Sequence, residues 1–175
     1  MQLYFVAHRI NGEAADYYAQ LTKNIEKHFG LPALVRRSPA HITLKPPFTA
    51  DDVSGVRARL AELAAEMPPL PLTIRGFDTF RQRTLYLHIV MAPELLERGS
   101  HLATELGELV DGKSVPLPIK MHVSVARKLA PGLYKRIMQY LEALPDPYFE
   151  STFDNLTLFR NVGGKWIVEE TYLLH

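Results

Sequence analysis

The chain repeats one pattern of strands and helices, with a spacing of about 80 residues. The segment HITL at residues 41–44 recurs 81 residues later as HVSV at 122–125. Apolar residues at helical spacing precede and follow each segment, and short strand-like runs lie between the helices. Because the offset and the order agree along the chain, we predict a duplication. The predicted fold is α+β, with two β-α-β-α-β lobes related by a pseudo-two-fold axis and a central groove between two sheets.

The repeat divides the chain near residue 82. We expect one domain over residues 1–175, with one lobe over about 1–82 and the other over about 83–175. A length of 175 residues is typical of one domain, and 47% hydrophobic residues suffice for its core. Four helices are predicted. The predicted strands are Gln2–Ala7, His41–Lys45, Leu72–Phe77, Thr84–Val90, Met121–Ala126, Phe153–Arg160 and Trp166–Leu173.

The composition excludes several classes of protein and ligand. Twenty Lys and Arg residues against nineteen Asp and Glu give a net charge of +1, which argues against a surface that coats DNA. The absence of cysteine excludes disulfides, thiol catalysis and cysteine-ligated zinc. No apolar run reaches the roughly 18–20 residues that cross a bilayer, and residues 1–10 do not resemble a signal peptide. We therefore expect a cytoplasmic protein without a membrane partner, and the near-neutral charge favours a monomer.

Two histidines occupy matching positions in the repeat, each two residues before a hydroxyl. Since residues i and i+2 of a strand share a face, His41 lies beside Thr43 and His122 beside Ser124, with apolar residues behind them. A single histidine in such a strand is more often a half-buried structural residue. Two copies in a duplicated unit predict instead that both imidazoles and both hydroxyls meet across the groove.

This set of side chains suits hydrolysis of a cyclic phosphodiester. With an unperturbed pKa of about 6.5, one histidine can take a proton from water while the other protonates the leaving sugar oxygen. The hydroxyls can donate hydrogen bonds to the non-bridging phosphate oxygens. No metal or other cofactor is required. The predicted partner is an RNA end or a small nucleotide that carries a cyclic phosphate.

At these residues the sequence resembles the 2H phosphoesterase superfamily, which is named for paired His-x-[Ser/Thr]-x motifs. Over most of its length it is similar to the bacterial RNA 2′,3′-cyclic phosphodiesterases, historically called 2′-5′ RNA ligases, and residues 158–174 resemble the YjcG-type branch. The resemblance implies a bilobal fold, a metal-independent mechanism, and catalytic roles for His41, Thr43, His122 and Ser124. The commoner assignment in the family makes His41 the acid and His122 the base.

Two cations beside the motifs are candidates for binding the phosphate. Lys45 has the same strand parity as Thr43, so it could neutralise a phosphate, although a solvated charge at a strand end is the alternative. Arg127 has the opposite parity from His122. It reaches the groove only if the strand bends after Ala126.

Three aromatic residues are candidates for stacking on a nucleobase: Phe48, Phe80 and Tyr86. Core packing is the alternative for each of them. Two other functions also stay open at this point. A binding module could hold RNA or a nucleotide in the same groove without turnover, and a metal hydrolase could use the histidine pair as ligands.

Overall fold

The fold contains eight strands and four α-helices, which a computed structural model describes over all 175 residues, Met1–His175. The strands are β1 (Gln2–Arg9), β2 (His41–Ala50), β3 (Leu70–Phe80), β4 (Thr84–Val90), β5 (His122–Ala126), β6 (Tyr148–Phe153), β7 (Asn155–Val162) and β8 (Lys165–Leu173). The helices are α1 (Gly12–Phe29), α2 (Ser54–Glu66), α3 (Pro93–Leu109) and α4 (Pro131–Glu142), and a short 3₁₀ helix covers Leu34–Arg36.

Glycine and proline set several of these helix boundaries. Gly30 ends α1 in the left-handed conformation, with φ of 69°, and its N–H donates to the carbonyl of Glu26. Pro93 and Pro131 begin α3 and α4, where a missing N–H costs nothing. None of the helices combines the length and apolar character needed to cross a bilayer.

Two four-stranded antiparallel sheets carry the helices. Their strand orders are β2-β1-β7-β8 and β5-β4-β3-β6, so the two histidine strands, β2 and β5, lie at equivalent edges. These two edge strands contact each other. The predicted α+β architecture with duplicated halves and a groove between two sheets is confirmed.

Each sheet contains strands from both halves of the sequence. Strand β3 follows α2 yet pairs with β4 in the second sheet, because only the three-residue turn 81–83 connects them and so short a turn favours a hairpin. Strands β7 and β8, from the second half, complete the first sheet by pairing with β1. The boundary near residue 82 therefore divides the sequence repeat, whereas the sheets exchange strands across it.

The run predicted as one strand over Phe153–Arg160 is instead parts of two strands. Phe153 ends β6 opposite Leu70 in the second sheet, and Asn155 begins β7 opposite Leu173 in the first. Only Asp154 separates them, and no glycine or proline marks the change of sheet. Strand β6 was missed for this reason.

The hydrophobic core anchors the backs of both histidine strands. Ile42 and Leu44 of β2 and Val123 and Val125 of β5 are at most 1% exposed and belong to one continuous core. Their burial turns the alternate residues of each strand towards the groove.

Candidate active site

A cavity of about 680 Å³ lies between the two sheets, and both histidine motifs line it. His41 and Thr43 reach it from β2, and His122 and Ser124 reach it from β5. The four side chains predicted to share one groove therefore line the same cavity. Its volume is in the range that holds a ligand of drug or nucleotide size.

A backbone carbonyl two residues earlier fixes the ring orientation of each histidine. The Nδ1–H of His41 donates to the carbonyl of Pro39 at 2.7 Å, and that of His122 donates to the carbonyl of Lys120 at 2.9 Å. A carbonyl can only accept a hydrogen bond, so Nδ1 of each ring carries the proton. Nε2 of the neutral ring is then free to accept a proton.

Two aromatic rings pack against each imidazole, and one ring in each pair comes from the other half of the sequence. The imidazole of the first motif lies 4.9 Å from Phe5 and 5.8 Å from Phe159. The imidazole of the second motif lies 4.7 Å from Phe80 and 5.1 Å from Tyr86. The exchange of β3 and β7 between the sheets brings Phe80 and Phe159 to these positions.

The surroundings of both imidazoles disfavour their charged form. Burial lowers the pKa of His41 to about 4; the hydrogen bond to Pro39 opposes this effect, and the charge of Arg127 reinforces it, as does His122 when it is protonated. Burial also lowers the pKa of His122, together with the charges of Lys120 and Arg127. Both rings are therefore neutral at pH 7 in the free protein, and an anion bound between them would raise both pKa values.

The charged side chains on the cavity wall are all cations. Arg37, Arg81, Lys120 and Arg127 line the cavity, whereas no aspartate or glutamate does. Asp78 approaches from outside the wall and pairs with Lys120 at 3.4 Å. Although the whole chain has a net charge of only +1, this cavity is suited to an anionic ligand.

Lys45 does not reach the cavity, so the predicted contact with a phosphate is corrected. Ala7 of β1 pairs with Thr43, but the preceding residue, Val6, pairs with Lys45, which leaves Leu44 as an extra residue on β2. This bulge reverses the alternation of side chains, and Lys45 is 1% exposed. Its Nζ donates to the carbonyl of Val110 at 2.8 Å.

A matching bulge in β5 turns Arg127 into the cavity. Tyr86 of β4 pairs with Ser124 and Leu85 pairs with Ala126, so Val125 is the extra residue. Val125 and Ala126 are both buried, and the next side chain, Arg127, returns to the groove face. Arg127 therefore reaches the groove through the bulge at Val125, and not through the bend after Ala126 that the sequence analysis required.

Of the three aromatic candidates, Phe80 alone lines the cavity. Phe48 is buried in the core, with its ring 6.0 Å from Tyr4. Tyr86 is fully buried and packs against both His122 and Phe80. Base stacking by Phe48 and Tyr86 is therefore corrected: Phe48 contributes to the core, and Tyr86 supports the second imidazole.

Sequence reasoning missed several residues of the cavity wall. Trp166, Asn161 and Gly164 reach it from the β7–β8 hairpin, and Arg37 lies beside them, where its carbonyl accepts the N–H of Trp166 at 2.7 Å. Trp166 is the only tryptophan of the chain and follows a glycine turn, which was the available signal. Lys120 matches Pro39 in the repeat, so its role could not be found by comparing the halves.

Two strands that each present a histidine and a hydroxyl to one groove define the two-histidine, or 2H, class of phosphoesterases. Residues 13–165 match the family model of the 2′-5′ RNA ligase superfamily, so the chain belongs to that superfamily. The resemblance of its motifs to the 2H phosphoesterases is thereby confirmed, and the family as a whole carries out chemistry on phosphoesters.

Similar proteins cover nearly the whole chain. Two Geobacillus proteins named "putative phosphoesterase" are 28% identical over 163 residues (G. kaustophilus HTA426) and 30% identical over 164 residues (Geobacillus sp. WCH70), and each alignment covers 91% of this chain and 88% of the relative. TT0787 of Thermus thermophilus has the same fold, with a TM-score of 0.69, 20% identity, and coverage of 99% of this chain and 98% of the other. Escherichia coli LigT complexed with NADP⁺ gives a TM-score of 0.65 at 18% identity, with coverage of 99% and 97%. LigT complexed with 3′-AMP gives 0.63 at 19%, with coverage of 99% and 98%.

Proposed function

We propose that the protein hydrolyses a 2′,3′-cyclic phosphodiester, on an RNA end or a nucleotide, by acid–base catalysis between His41 and His122 and without a metal. The observation that carries the proposal is the pair of imidazoles in one cation-lined cavity. A backbone carbonyl holds Nδ1 of each ring and leaves Nε2 available for proton transfer.

The reaction needs one proton acceptor and one proton donor on opposite sides of the phosphorus. Nε2 of neutral His122 accepts a proton from water, and the water oxygen forms a bond to phosphorus. The ring P–O bond to one ribose oxygen breaks, and protonated His41 donates the Nε2 proton to that oxygen. The product is a ribose phosphomonoester with a free neighbouring hydroxyl. The two rings exchange protonation states during the step and return to their starting states through solvent.

The hydroxyls and cations stabilise the charge on the phosphate. Thr43 and Ser124 donate hydrogen bonds to the two non-bridging oxygens, where charge builds up as the water attacks. Arg127 and Lys120 offset the negative charge from the cavity wall. All four groups already line the cavity in the free protein.

The ligands of LigT agree with this substrate class. That protein was crystallised with 3′-AMP, a nucleotide whose phosphate is on the ribose 3′ oxygen. One of the two products of opening a 2′,3′-cyclic phosphate has the same arrangement. In our proposal the cavity of this chain holds the phosphate in the same chemical form.

Single histidine variants test the proposal. Wild type, His41→Ala and His122→Ala are compared in EDTA on 2′,3′-cyclic AMP and on an oligonucleotide with a cyclic phosphate end, and ³¹P NMR identifies the bond that breaks. Loss of a general acid or base lowers kcat by about 10²–10⁴-fold. His101→Ala, on the exposed surface of α3, is the matched control and keeps wild-type activity.

Three results would contradict the proposal. Undiminished turnover in His41→Ala or in His122→Ala would show that the substituted histidine is not an acid or base in the reaction. Activity that chelator abolishes and a divalent ion restores would indicate a metal hydrolase. Binding of the oligonucleotide by the wild type without any product would indicate a binding module.

A further inference from the structure

A second groove adjoins the catalytic cavity, and Arg81 lines both of them. The second groove has a volume of about 780 Å³. Its walls are the turn between β3 and β4, the loop that follows β5, and the start of α4. The N–H of Leu129 in the loop donates to the carbonyl of Arg83 in the turn at 3.0 Å, which holds these two walls together. An elongated ligand could thus extend from the cavity past Arg81 into this groove.

The second groove is lined by cations that have no acidic partner. Arg81, Arg83, Lys128 and Lys135 are its charged residues; all four are exposed, and no carboxylate lines the groove. None of the four takes part in an ion pair, and the salt bridges of the chain lie at other cations, such as Arg57 and Arg160. Unpaired cations that repel one another are expected where a polyanion neutralises them.

Two other grooves of the molecule contain carboxylates. One contains Glu13, Glu150 and Asp154 and no cation, and the other combines Glu94 and Glu97 with Arg98 and His101. Carboxylates in those grooves would repel a phosphate chain. The cationic groove is therefore distinguished by its charge as well as by its connection to the cavity.

The backbone around the groove is held in an uncommon conformation. Arg81, Gln82 and Lys128 have φ of 49°, 52° and 56°, in the left-handed region that residues other than glycine rarely adopt. Such conformations persist where the surrounding structure enforces them, and they cluster at binding sites. Here they occur in the two segments that present the cations to the groove.

We propose that this second groove binds the RNA chain on the 5′ side of the cyclic phosphate, so that the substrate is an RNA strand rather than a free cyclic nucleotide. This inference rests on the proposed function. A 2′,3′-cyclic phosphate can exist only at the 3′ end of RNA, so the rest of the strand must leave the cavity in the 5′ direction. The cavity of about 680 Å³ holds about one nucleotide. The preceding phosphates then lie against Arg81, Arg83, Lys128 and Lys135, and the half-buried ring of Tyr134 offers a surface for a base.

The double variant Arg83→Gln/Lys135→Gln tests the inference, because neither residue lines the catalytic cavity. Each phosphate contact to single-stranded nucleic acid contributes about 0.7 to the slope of log K against log salt, or about fivefold in affinity at 0.1 M salt. For an RNA decamer with a cyclic phosphate end, kcat/KM therefore falls by about 25-fold. Turnover of 2′,3′-cyclic AMP stays within about twofold of wild type. The matched control, Lys23→Gln/Lys27→Gln, removes two exposed charges from α1 and leaves both substrates unaffected.

A binding measurement separates this inference from the proposed function. Fluorescence anisotropy of a labelled RNA decamer with a 3′-phosphate requires no turnover. The Arg83→Gln/Lys135→Gln variant is expected to bind this RNA about 25-fold more weakly at 0.1 M salt, with a salt slope smaller by about 1.4. Wild-type affinity and a wild-type salt slope in the variant would contradict RNA binding in the second groove, even if cyclic AMP is hydrolysed. Weaker RNA binding by the variant would support RNA binding in the second groove, even if no cyclic phosphate is opened.

Discussion

Binding of the anionic substrate should convert His41 from a neutral ring into a general acid. In the free protein burial lowers the pKa of His41 to about 4. At pH 7 only about one ring in a thousand is then protonated. A phosphate monoanion about 4 Å away, at an effective dielectric constant of about 20, stabilises the imidazolium by about 4 kcal/mol. Since one pKa unit corresponds to about 1.4 kcal/mol, the pKa rises by about three units, to near neutrality.

This shift predicts two different pH profiles for one enzyme. The profile of kcat/KM reports the free protein, in which the pKa values of both histidines lie below 6.5, so its optimum should also lie below pH 6.5. The profile of kcat reports the bound complex and should lie about two to three units higher. Initial rates with 2′,3′-cyclic AMP between pH 4 and 9, at constant ionic strength, measure both profiles.

The reasoning fails if the two profiles coincide, or if the alkaline limb of kcat/KM has a pKa of 7 or above. A charge variant provides an internal check. Arg127→Gln removes a cation that lowers the pKa of both histidines, so the kcat/KM optimum should move to higher pH while the affinity for substrate falls. Lys23→Gln, on the exposed surface of α1, should leave the optimum in place.

Two further predictions concern residues outside the cavity. Burial lowers the pKa of His8 to about 4, against about 6.5 in the unfolded chain, so the unfolded state binds more protons between these values. The stability that neutral His8 provides is complete above pH 6.5 and falls as the pH drops, by about 2 kcal/mol at pH 5. Urea unfolding of His8→Gln should show a correspondingly smaller decrease in the free energy of unfolding between pH 8 and 5. The same decrease as in the wild type would refute this role of His8. Lys45→Met, which keeps the side-chain volume inside the core, should leave kcat/KM for cyclic AMP within about twofold, whereas a tenfold loss would indicate a phosphate contact after all.

The alternation of apolar and polar residues within each motif was sufficient to predict which side chains of the two histidine strands face the cavity. Each motif has apolar residues at alternate positions, and a buried core fixes such a pattern strongly, since a slip by one residue would expose all of them. His41 and Thr43 therefore face the cavity as predicted, and so do His122 and Ser124. The matching offset between the halves then indicated that the two strands are structurally equivalent.

The same alternation failed just beyond each motif because of the bulges. A bulge depends on how a strand pairs with its neighbour, which the strand's own sequence does not state. Leu44-Lys45 and Val125-Ala126 occupy equivalent positions, and both bulges place two consecutive side chains in the core. For that reason Lys45, which alternation assigns to the groove, is buried, and Arg127, which alternation assigns to the core, lines the cavity.

The exchange of strands between the sheets was also beyond sequence reasoning. Its consequence for the site is that neither half can form a complete histidine environment alone. Phe80 belongs to the first half but packs against His122, and Phe159 belongs to the second half but packs against His41. The aromatic support of each imidazole therefore exists only when both halves are folded together.

The differences between the equivalent positions supply the asymmetry that the proposed reaction needs. A perfect duplication would surround both imidazoles identically, and an acid and a base could not be distinguished. Beside the second imidazole the chain has Lys120 and Arg127, whereas the matching positions beside the first are the prolines 39 and 46. Burial is the main cause that lowers the pKa of His122 and keeps it neutral, as a base requires, and the charges of Lys120 and Arg127 add to this effect. Burial is also the main cause that lowers the pKa of His41, but of the two cations only Arg127 adds to it, so a phosphate beside this ring meets less opposing positive charge. The two histidines thus differ in how they respond to substrate, which favours His122 as the base and His41 as the acid.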